Sequence, residues 1–162
     1  MIMNIFYILT SFIISSTFIF SMNYSQSERS IQNLKTKSEI LITNNNFELA
    51  LNIYLKILEI EQTIYSNNSF ELAKTYDKIA DLYIQLDNYD QALPYIQQSI
   101  AIYQKNILSP KDKLESSLQV IRDIYQKQNK YILLDKSEKL IKSLQNINNI
   151  YAIENFFEDE DL

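Results

Sequence analysis

Glycine is missing from all 162 residues, where average usage of about 7% would supply roughly eleven. Without it, left-handed turns and close backbone approaches to phosphate are hard to build. This disfavours β-rich folds, phosphate loops and dinucleotide fingerprints. Cysteine is also absent, so no disulfide framework or thiolate site exists and the redox compartment is not readable. Histidine is absent as well. Together these two gaps remove the commonest general base, the thiol nucleophile and nearly all zinc chemistry. Catalysis would have to rest on carboxylates, Lys, Tyr or Ser, so a non-enzymatic protein with no cofactor and no metal is expected. A basic face is lacking too. The net charge is −5 from 15 bases and 20 acids, and Glu154, Glu158, Asp159, Glu160 and Asp161 account for the whole excess. The body is neutral, which speaks against nucleic acid as a partner.

What is present is rich in Ile, Asn, Lys and Tyr, a bias that an A/T-rich coding sequence explains. The chain is long enough for one domain plus a tail or anchor. No charged side chain precedes Glu28. The apolar run from Ile2 to Met22 would extend about 31 Å as a helix, close to the roughly 30 Å hydrocarbon thickness of a bilayer. Three readings compete for it: an uncleaved anchor, a cleaved signal and a buried core helix. A signal peptide normally has a basic start and a small-x-small cleavage site. Here no Lys or Arg precedes the run, and Ile19-Phe20-Ser21 is the best site available. Residues 1–24 are therefore expected to be an apolar anchor or uncleaved signal, reaching the membrane through residues 2–22. Arg29, Lys35 and Lys37 on its far flank place the remainder on the cytosolic or stromal side.

Beyond this segment, Ser25-x-x-Glu28 fits a capping box and predicts a new helix start. Ser109-Pro110 with Asp112 predicts another. Shifting the chain by 42 residues aligns Phe47, Tyr89 and Tyr131, each just after a polar break. The same frame aligns Ala50, Ala92 and Leu134; Leu41, Tyr83 and Tyr125; and Leu34, Tyr76 and Leu118. Such a period implies stacked helix pairs that bury their apolar faces on one another. The pairs read as 26–44 with 47–65, 70–86 with 89–107, and 111–128 with 131–147.

The middle unit, with Tyr76, Ile79, Ala80 and Tyr83 followed by Tyr89, Ala92 and Pro94, resembles the tetratricopeptide repeat. The 42-residue period and the connector "YSNNSFELAKTY" resemble the kinesin-light-chain register of that family. With the N-terminal transmembrane helix expected from the apolar run, the resemblance implies an all-α fold: a short α-solenoid of three antiparallel helix pairs over residues 25–147, in repeats 28–69, 70–110 and 111–147. An acidic tail of residues 148–162 follows, read either as a cap through Phe156 and Phe157 or as a short interaction motif. Ser38 and Ala50 keep the small-residue rule of the helix crossing, whereas Arg122 and Leu134 break it in the third unit, which then caps the stack.

In this family the first helix of each pair lines a concave surface. Carried over, the groove holds Lys35, Glu39 and Ile42, then Asp77, Lys78, Asp81, Ile84 and Gln85, then Asp123 and Lys127. Glu39, Asp81 and Asp123 share one register, a row of acids that either receives a basic or amide-rich peptide or is a solvated face. Repeats that clamp a chaperone's terminal carboxylate resemble one another in carrying Asn and Lys or Arg there, so no such partner is expected. Among the twelve tyrosines, those at repeat positions read as core rather than as base-stacking platforms, since their phase matches the packing face. Asp77 and Asp81 read as charged surface, not as an acid–base pair or metal site. The function expected is a membrane-tethered interaction module for a membrane-associated client protein. The layout also resembles plastid and cyanobacterial tetratricopeptide proteins implicated in photosystem I assembly, which implies an assembly factor at the plastid thylakoid; the alternative is an exported interaction protein with a cleaved signal.

Overall fold

A computed structural model of the chain describes residues 2–105, 111–128 and 130–146, without the side chains of residues 2–14, 20, 111, 112, 131, 132, 140 and 143–146. The described chain is all helix: α1 (Ile2–Thr43), α2 (Phe47–Ile64), α3 (Phe70–Gln85), α4 (Tyr89–Lys105), α5 (Lys111–Lys127) and α6 (Tyr131–Asn146). Each helix packs on the next in chain order, as in a stack of hairpins.

The second helices of the pairs begin at Phe47, Tyr89 and Tyr131, in the 42-residue step of the sequence. Among the described residues the turns before them repeat as well. The N–H groups of Asn46, Asn88 and Lys130 each donate to a carbonyl five residues back, on Leu41, Tyr83 and Tyr125, all at 2.9 Å. Asn45 and Asp87 donate to Ile42 and Ile84 at 3.0 Å and hold positive φ of 58° and 55°. This is the Schellman ending, in which a left-handed residue lets late amides satisfy the last carbonyls of a helix. Glycine usually takes that place; Asn and Asp, whose short polar side chains tolerate it, serve here. At the start of α3, Ser69 Oγ accepts from the Leu72 N–H at 3.3 Å.

The helix start expected at Ser25 does not exist. Residue 25 lies inside α1, which runs without a break from Ile2 to Thr43. No Gly or Pro interrupts it, Ser25 is exposed, and Glu28 accepts the Tyr65 hydroxyl at 2.5 Å. Its carboxylate thus bridges to α2 rather than folding back to close a capping box. At 42 residues α1 is about 63 Å long, against about 27 Å for α2, so its N-terminal part projects beyond the stack. Tyr24 and Tyr65, ring edge to face with centroids 6.5 Å apart, mark where the projection leaves α2. The anchor expected over residues 2–22 falls mostly on side chains outside the described set, and among the described residues no helix is long and apolar enough to cross a membrane. Ser109, Pro110 and the tail 148–162, with Phe156 and Phe157, also lie outside the described residues.

Two apolar clusters fill the stack. One joins α1 to α4 around Ile57, Leu72, Ile79 and Tyr54; the other joins α3 to α6 around Ile96, Ile100, Leu118, Ile121 and Tyr125. Ala50, Ala80 and Ala92 are fully buried where helices cross, and Ser38, also buried, donates to the Ala50 carbonyl at 3.2 Å. In the third pair Arg122 turns aside to Asp123, Nη2 to Oδ1 2.8 Å, and Leu134 packs half-buried against the second cluster.

Candidate functional site

The first helices α3 and α5 lie side by side and leave a valley between them. One end is an open pocket of about 390 Å3, floored by Ala80, Ile96 and Val120 and rimmed by Lys74, Lys78 and Lys113. A second pocket of about 240 Å3 follows, lined by Ile84, Ile124, Asp123 and Lys127. Asp81 and Val120 belong to both, which makes the two pockets one continuous surface.

The charges of this valley differ in how free they are. Asp77 is committed: Tyr103 donates its hydroxyl to Oδ2 at 2.6 Å and Ser117 reaches Oδ1 at 3.5 Å. Burial first, then this acceptor, pushes the Tyr103 hydroxyl well above the usual phenol range. Lys127 donates to the Tyr89 oxygen at 2.9 Å and sits 5.1 Å from the ring centroid; that hydrogen bond chiefly raises its pKa. Asp123 faces Arg122 in an exposed pair, worth little in water. Asp81 accepts no hydrogen bond from any described residue. Its carboxyl meets solvent, yet the valley wall removes enough water to raise its pKa above the ordinary carboxylate value, an effect Asp77 adds to and Lys78 and Lys113 oppose.

The expected row of three acids is therefore uneven. Glu39 accepts the Tyr54 hydroxyl at 2.9 Å, which, after burial, raises that tyrosine's pKa. Lys35 is drawn to the wholly buried Glu61, Nζ to Oε1 2.9 Å. Ile42 packs on the first core cluster. These three residues of α1 line neither pocket, and Gln85 is exposed at the end of α3 without joining them. Asp77, Lys78 and Asp81 come together in the first pocket; Asp81, Ile84, Asp123 and Lys127 meet in the second. Among the small and aromatic signature positions, Tyr125 is fully buried, Phe47 is half-buried at its helix start, and Tyr76 and Tyr83 flank Tyr95 with centroids 6.2 and 5.6 Å away. The Tyr131 side chain lies outside the described set.

Sequence reasoning missed Lys74, Lys113, Val120 and Glu61. The first three continue the i, i+3, i+4, i+7 face of α3 and α5 by one turn or one step, a signal that was available. Glu61 follows Tyr54, Ile57 and Leu58 in core phase, which marks a buried acid in need of a partner.

A stack of helix hairpins, each packed on the next, has the architecture of a short α-solenoid. Within it, residues 30–105 match the family model of the Tetratricopeptide repeat, so the first two helix pairs are similar to that repeat. The family is a protein-interaction repeat, generally without enzymatic activity. Among curated proteins none matches the chain.

Proposed function

We propose that the protein is a non-enzymatic interaction module that holds a client protein in the α3–α5 valley. The observation that carries this reading is the valley itself, an apolar floor edged by charged side chains on the first helices of adjacent repeats. Shape and apolar area give a client segment its affinity there, while the charges select register and orientation. The uncharged run at residues 2–22 supports tethering of the module to a membrane, which would raise the effective concentration of membrane-bound clients. An assembly role for a membrane complex such as photosystem I would follow from the same tether and valley. The 42-residue step supports the kinesin-light-chain register, and removal of the run as a signal remains the rival reading.

The test is mild cross-linking and affinity capture of the tagged, full-length chain from membranes of the cells that make it, beside a Val120→Phe variant that fills the valley. Specific partners from one membrane complex, lost in the variant while its circular dichroism is unchanged, are the expected result. Capture of the same partners by both proteins would overturn the valley reading. Recovery in the exported fraction would overturn the tether.

A further inference from the structure

Resting on the reading of the α3–α5 valley as a client site, the charge layout goes further and defines what the client brings. Of the three acids in register, Glu39 accepts the Tyr54 hydroxyl and Asp123 faces Arg122 in an exposed pair, while Asp81 accepts no hydrogen bond from any described residue. It stands where the two pockets meet, over Val120. On one side lie Lys74, Lys78 and Lys113; on the other, Lys127, already donating to Tyr89. The three lysines of the first pocket outnumber its two acids, and of these Asp77 is occupied by Tyr103.

We infer that the valley takes an extended client segment presenting one Arg or Lys head to Asp81, its stem along Val120, with a carboxylate side chain towards Lys74, Lys78 and Lys113. From position 74 to position 81 is about 10 Å along a helix, a span that about three residues of extended chain cover. The client pattern is thus an acid followed or preceded, two or three positions away, by a base. A purely basic peptide meets the three lysines and a purely acidic one meets Asp81, so each is rejected at one end.

The test uses the full-length chain with a photo-cross-linking amino acid at Ser116 on the rim of the first pocket, expressed in the cells that make it, and mass spectrometry of the cross-linked client peptides. Wild type, Asp81→Asn and Lys113→Glu are compared, with helix content checked for each. The expected result is peptides sharing the acid–base spacing, with yield falling at least tenfold in Asp81→Asn and in Lys113→Glu, and falling in wild type as salt is raised. Cross-linked peptides without the pattern, or undiminished yield in both variants, would overturn this inference and leave the valley as the client site. Capture that persists with no cross-link at Ser116 would place the client on another face and overturn both.

Discussion

Glu61 is wholly buried and meets one cation, Lys35, whose side chain is 31% exposed, and its Oε2 has no hydrogen-bond partner. The two ends of this ion pair therefore differ in what happens when the other is removed. In Lys35→Met the Glu61 carboxylate stays inside with neither partner nor water; leaving a buried charge unpaired costs about 3–5 kcal/mol. In Glu61→Leu the lysine head can turn to solvent, an unsatisfied buried oxygen disappears, and apolar volume takes its place, so the loss should stay under about 1 kcal/mol or become a gain. At this chain length the first variant should melt roughly 6–20 °C below wild type. The second should melt near wild type, and the double variant should recover most of the loss. Thermal unfolding of the full-length chain in mild detergent, followed by circular dichroism, measures all four proteins. Equal losses in the two single variants, or a larger one for Glu61→Leu, would show that the carboxylate is not held as the exposures imply.

Ala80→Leu forces extra methylenes into the crossing of α3 and α4 and should destabilise by about 1–3 kcal/mol, read as a lower melting temperature with helix retained below it. Asn45→Gly relieves a left-handed residue at the end of α1 and should stabilise by about 0.5–1 kcal/mol, whereas Asn45→Val should lower stability in the same denaturation series. Asp81 has its folded pKa raised above the unfolded value, so in that window the native state holds the proton longer and stability falls as pH rises. Asp81→Asn should therefore be at least as stable as wild type at pH 7, with the difference vanishing below the ordinary carboxylate range; stability curves at several pH values check the sign.

The repeat was legible because its breaks are chemical: "TNNNF", "LDNY" and "QNKY" place turn-forming residues where α1, α3 and α5 end. The start expected at Ser25 failed because Ser-x-x-Glu is a local signal that a helix interior tolerates equally well, and the Tyr65 partner of Glu28 lies 37 positions away. The groove residues were legible as a face and illegible as a site. Whether a carboxylate on that face is free depends on hydroxyls from other helices, Tyr54 for Glu39 and Tyr103 for Asp77, and no spacing within one helix reports these. Glu61 escaped notice for the same reason, since its meaning rests on Lys35, 26 positions away.

The slot filled by Lys35 and Glu61 in the first pair is filled 42 positions on by Asp77 and Tyr103. A chain of near-identical hairpins runs the risk of closing the wrong two helices during folding. If α3 took α1's place against α2, Asp77 would face Glu61, two acids meeting in a desolvated slot; if α1 met α4, Lys35 would face a phenol with no counter-charge. The first two hairpins thus each carry a key that fits their own lock, so the same polar slots that stabilise the correct pairs act as proofreading against exchange between these neighbours or between two copies of the chain.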